Sequence, residues 1–163
     1  MAEPRLTIGA VSAGLAMRAG ASTPKMATAE ELRETLLAVR SISYGDPARG
    51  ATAGIHFHGV LGRLGIAEAM MPKTVLVPFG VEAIEKVVKG GVEYAASQSS
   101  EILATPGVAL AGLLPPPHHS STTYVAAPTA SAANRAPALA YIRFLAQPVI
   151  IARIRALGLA AAN

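Results

Sequence analysis

Short β-rich runs alternate with helical stripes along most of this chain, and that alternation limits the folds open to it more than any other feature. Thr28 followed by Glu31 forms a capping box, and Leu32, Leu36 and Val39 repeat at helical spacing, which predicts a helix over about 28–40. "SISYG" (41–45) reads as a short strand. Phe57, Val60, Leu61 and Leu64 then form one apolar stripe, so a second helix is expected over about 52–64, stopped by Gly65. "KTVLVPF" (73–79) is a strand, and Val81, Ile84, Val87 and Val88 mark a helix closed by Gly90 and Gly91. Further strands are expected at 92–97, 107–114 and 123–129, the last after a stiff proline-led crossing at 115–122. Pro137 sits in the first turn of a helix striped by Ala138, Tyr141, Ile142 and Leu145. A final helix at about 148–157 carries Ile150, Ile151, Ile154 and Leu157, with Gly158 as its stop. Residues 5–21 are β-like and glycine-punctuated. Strands alternating with helices in this way predict an α/β chain, with a mainly parallel sheet flanked by helices.

In open α/β sheets, ligands bind beyond the C-terminal ends of the strands, where helix N-termini gather. The first candidate is "GDPARGATAGIH" (45–56). A helix starting near Thr52 or Ala53 leaves the N–H groups of Ala53, Gly54 and Ile55 as orphan donors at the positive end of the dipole, and the small side chains let an anion approach. The same turn also reads as an ordinary helix start with small residues for packing. The second candidate is "AASQSSE" (95–101), a strand ending in three serines and a glutamine. These groups coordinate an oxyanion or cap the next short helix, with Ser99 the natural N-cap. The third is Tyr124, directly after the proline crossing, which closes over a ligand or packs.

Other chemistries lack their residues. The four histidines are His56, His58, His118 and His119; the first two are two apart on a predicted helix and point away from each other, so no metal is expected. No G-x-S-x-G elbow supports a serine hydrolase, and no catalytic residue or cofactor is assigned. With no cysteine there is neither a disulfide framework nor a thiolate site. The net charge of +4 is scattered rather than clustered, and only 4% of residues are aromatic, so a nucleic-acid partner is not expected. No apolar run approaches the roughly 20 residues needed to span a bilayer, and the opening residues lack the layout of an export signal. A mild positive bias suits a small anionic ligand.

With these pieces in order, residues 5–160 resemble the type II periplasmic solute-binding proteins, and within them the molybdate-binding branch. The motifs that carry the likeness are "GDPARGATAGIHFHGVLGRLGI", "VVKGGVEYAASQSSEIL" leading to "GVALAGLLP", and "TTYVAAPTASAANRAPALAYIRFLAQP". The resemblance implies a periplasmic-binding-protein-like fold with three segments: residues 1–22 as hinge and first-lobe strands, 23–116 as a complete second lobe, and 117–163 as the return to the first lobe. It places the Ala53 N–H, Ser97 and Tyr124 at a small oxyanion such as molybdate in an interlobe cleft, with Thr52, Gly54 and Ser99 beside them. It implies the solute-binding component of an ABC-type importer, periplasmic, with a permease as partner. Two departures stand out: one extra residue in "ARGAT" before "AGI", and His56 where the family often has tyrosine.

The family's chains also carry a longer first lobe, ahead of the strand where this chain enters. The apolar stripes of the last two helices would then be left uncovered, so a homodimer is an expected partner. Two other readings remain: the effector-sensing domain of a transcription regulator of the same fold, and a domain that no longer binds ligand.

Overall fold

In a computed structural model, which describes residues 5–131 and 134–161, the chain forms six strands and seven helices among those residues. They are β1 (Leu6–Arg18), α1 (Ala29–Ala38), β2 (Ile42–Gly45), α2 (Thr52–Arg63), α3 (Ala67–Met70), β3 (Thr74–Val77), α4 (Gly80–Val88), β4 (Tyr94–Gln98), α5 (Ser99–Ala104), β5 (Val108–Leu113), β6 (Ser121–Ala126), α6 (Arg135–Leu145) and α7 (Pro148–Ala156). The sheet runs β3-β2-β4-β1-β5, and β6 pairs with β1 off that path. β2 is parallel to both β3 and β4, whereas β1 lies antiparallel between β4 and β5. Four of the five strands on the path therefore run one way, with β1 against them. The fold is the expected α/β architecture.

Local chemistry explains the element ends. The Thr28 hydroxyl accepts the Glu31 N–H at 3.2 Å, the N-cap bond of the expected capping box, while the Glu31 carboxylate reaches one residue further back and accepts the Ala27 N–H at 2.8 Å. Gly65 and Gly90 take positive φ where α2 and α4 stop. Two short 3-10 turns, Pro47–Arg49 and Met71–Lys73, and the single-turn α3 were not anticipated, because four residues carry no readable period.

The chain divides into two compact units. One comprises Ser12–Ser120 and holds the core. Alternation along its strands sends Tyr94 and Ala96 to one face and Ala95 to the other. On the first face Leu32 and Leu36 of α1 and Phe57, Val60 and Leu61 of α2 are buried against Leu15, Ile42 and Tyr44. On the second, Ala83, Ile84 and Val87 of α4 and Ile102 of α5 pack with Ala16, Val77 and Ala95. The expected α4 stripe is corrected here: Val81 and Val88 are exposed, and the buried side of the helix is Ala83, Ile84 and Val87.

The other unit comprises the described residues up to Val11 and those from Ser121 onward. A backbone bridge joins Ala10 to Ala160, with the two N–H···O bonds at 2.9 and 2.8 Å. Helices α6 and α7 carry no buried residue. Ala138, Ile142 and Leu145 are half-buried as expected, but Tyr141 is 62% exposed and stacks on Phe144 at 6.2 Å, and Leu157 lies exposed at the end of α7. Arg5, Arg135, Arg143, Arg153 and Arg155 belong to this unit, with no acidic residue among those described. No single helix among the described residues is long and apolar enough to cross a membrane.

Candidate functional site

Three parallel strands point their C-terminal ends to one edge of the larger unit, and the helices that follow begin there. α2 starts at Thr52 with Ala51 as N-cap and no side-chain cap. The first intrahelical bond of this turn is Ile55 N–H to the Ala51 carbonyl at 2.8 Å. The N–H groups of Thr52, Ala53 and Gly54 make no hydrogen bond among the described residues. They are the orphan donors at the positive end of the helix. Ala53 and Gly54 are buried and Thr52 is exposed.

Glycines make this arrangement close. A Cβ on Gly54 would run into the Gly45 carbonyl oxygen, so only glycine lets α2 begin against the end of β2. A Cβ on Gly45 would lie 2.6 Å from the Ala51 Cβ and 3.5 Å from the Gly80 nitrogen. The starts of α2 and α4 thus meet around the last residue of β2. Ahead of α2, the Asp46 carboxylate caps the 3-10 turn by accepting the Ala48 N–H at 2.9 Å, and it pairs with Arg49 at 3.9 Å.

Ser97 and Ser99 lie at the end of β4. Ser97 is fully buried and its hydroxyl donates to the Glu101 carboxylate. Its alternation with Ala96 places its side chain on the α4 face, whereas α2 packs on the opposite face. Ala53 and Ser97 therefore share the edge of the sheet but not a face. Ser99, also buried, is the first residue of α5 rather than its N-cap, and its hydroxyl accepts the Ser12 N–H at 3.3 Å. Tyr124 lies in β6 of the other unit, 47% exposed. Gly80 and Glu101 are members of this edge that sequence reading missed. The spacing of Glu101 four residues after Ser97 was visible, but nothing local reveals that Gly80 packs over the pair.

The histidines diverge. His56 Nε2 lies 2.7 Å from the His118 carbonyl, and His58 Nδ1 lies 3.2 Å from the Tyr44 hydroxyl. Among the described residues no group of three or more His, Cys, Asp or Glu is placed to hold a metal. Burial pushes the Tyr44 phenol up, against a hydrogen bond with Thr74 that lowers it. His118 is buried, and its Nδ1 has no hydrogen-bond partner among the described residues. Burial, then the charges of Arg63 and His56, hold its pKa below the usual 6.5. The unfolded chain therefore takes up a proton first on acidification, and stability contributed by neutral His118 is present above pH 6.5 and lost as the pH falls below it. The expected result is a melting temperature that declines as pH drops from 7.5 to 5, with a flatter profile in His118→Gln; identical profiles would show that His118 is not a source of the decline.

These strand ends and helix starts sit in a periplasmic-binding-protein-like α/β fold. Two solved structures share it: a substrate-binding domain of a molybdenum ABC transporter from Clostridium difficile and the periplasmic molybdate-binding protein of Azotobacter vinelandii. Both are 18% identical, with TM-scores of 0.75 and 0.70, covering 98% of this chain and 67% and 68% of theirs. The chain belongs to the bacterial extracellular solute-binding protein family, whose model matches residues 2–160. It is also similar to an aconitate isomerase from a Pseudomonas species, 26% identical over 146 residues that make up 88% of this chain. The chain spans about half the length of that curated relative, 53%.

Proposed function

We propose that this chain is a solute-binding component of an ABC-type importer that acts in the periplasm, takes a small anion and hands it to a membrane permease. The observation that carries the reading is the uncapped start of α2, where three backbone N–H groups stand at the C-terminal edge of the parallel strands. Donors of this kind select an anion by geometry and hydrogen-bond count without a formal counter-charge. Family membership and fold support a binding role. In this reading Thr52, Ala53 and Gly54 supply the donors, and Tyr124 is carried as a ligand residue by the family resemblance alone. Ser97 and Ser99 support the edge, and no covalent step is required. A second copy is the further partner of the reading, held through the exposed α6 and α7, although the unit's arginines oppose a like-on-like contact; light scattering reads this directly.

The experiment is a thermal-shift series with molybdate, tungstate, sulfate and aconitate. A ligand at one hundred times its Kd adds about 2.7 kcal/mol to stability, so a binder raises the melting temperature visibly. Tyr124→Ala is expected to remove much of that rise. A flat response to all four would count against the anion reading. Consumption of aconitate by the purified chain, followed by NMR, would instead favour an isomerase.

A further inference from the structure

A cavity of about 360 Å³ lies on the α2 side of the sheet, between the edge strand β3 and the helices α2 and α3. β2 and β3 pair in parallel with Tyr44 beside Leu76, and alternation puts both side chains on the face that α2 covers. Buried Leu61 of α2 lines the cavity, and Met71 and Leu76 line it as exposed apolar side chains. Its polar groups are few. The Tyr44 hydroxyl lies 3.2 Å from His58 Nδ1, so these two satisfy one another. Glu68 of α3 lines the same cavity and forms no ion pair among the described residues. The lysine that follows it, Lys73, is turned elsewhere, its ammonium donating to the Leu37 carbonyl at 2.6 Å. None of Thr52, Ala53 and Gly54 lines this cavity.

We propose that the cavity binds a small organic amine, whose apolar body fills the space against Leu61, Met71 and Leu76 while its ammonium group pairs with Glu68. Size and walls set the first half of this class: a cavity at the small end of the range for ligand sites takes a compact molecule, held mainly by apolar burial. The Met71 thioether, unbranched and polarizable, adapts its wall to the shape of that body. Charge sets the second half. An unmatched carboxylate beside apolar walls attracts a cation and repels an anion over a few ångströms, although the chain as a whole carries +4. The proposal does not rest on the anion reading, since it uses a different place and the opposite charge.

Ligand-observed NMR titration of the purified chain with 2-phenylethylamine and with 2-phenylethanol, its uncharged counterpart, tests this. The amine is expected to bind at least about fivefold tighter than the alcohol. Glu68→Gln keeps the shape and removes the charge, so it should weaken the amine about fivefold and change the alcohol less than about twofold. Ala67→Phe, at an exposed position that lines the cavity, should weaken both probes by filling the space. Melting curves establish that each variant is folded. Equal affinity for the two probes, or a folded Glu68→Gln with unchanged amine affinity, would overturn the role of the carboxylate. A folded Ala67→Phe that binds both probes as wild type does, or a wild-type chain that binds neither, would overturn the site itself. Each of these results leaves the anion reading intact.

Discussion

Replacing Phe57 by alanine is expected to remove about 3–5 kcal/mol of unfolding free energy, the range for truncating a fully buried aromatic side chain. Phe57 is completely inaccessible, lies at the centre of the face formed by α1 and α2, and meets the Tyr44 ring edge-on with centroids 5.2 Å apart. The loss combines the transfer of the ring to water with a cavity that β2 and α2 cannot close, since both are pinned by backbone pairing. Urea unfolding should show a lower midpoint with an unchanged slope. Phe144→Ala is the contrast: that ring is 47% exposed, and truncation should cost less than about 0.5 kcal/mol. Equal losses at the two positions would mean that burial does not decide their contributions.

Gly54→Val is expected to cost about 3 kcal/mol or more and to abolish any anion-dependent rise in melting temperature. The new Cβ would run into the Gly45 carbonyl, which is backbone and cannot rotate away, so α2 must lift off the end of β2. Its N–H groups then leave the edge where they converge with the start of α4. Gly62→Ala, in the same helix but with open space around the added Cβ, should instead stabilise by up to about 1 kcal/mol, because alanine favours a helix interior over glycine. If Gly54→Val melted like wild type, the close seating of α2 on β2 would be wrong, and the candidate site with it.

The contrast between these two glycines separates what is local from what is not. Both lie in one predicted helix, and nothing in "TAGIHFHGVLGR" tells them apart. Only the end of β2, brought in by folding, makes one indispensable and the other replaceable. Likewise the four-residue spacing of Ser97 and Glu101 is a helical one, yet its meaning comes from Gly80, which lies seventeen positions earlier than Ser97 and arrives with α4.

What the sequence by itself determined is the longer helices and the strands between them, because capping, period and positive-φ glycines act over a few residues. Thr28 with Glu31, the Leu32 and Leu36 repeat, and Gly65 and Gly90 place α1, α2 and α4 to within a residue or two of the expected bounds. The order of those elements also carried the family. What only the tertiary structure decided is which side chains face which. β1 turns out antiparallel inside a parallel sheet, Ser97 turns to the α4 face and donates a hydrogen bond to Glu101, and Val81 and Val88 stay in solvent. Strand alternation and helical period say that a residue has a side, but the partner on that side is set by contacts between segments far apart in the chain, which no local pattern encodes.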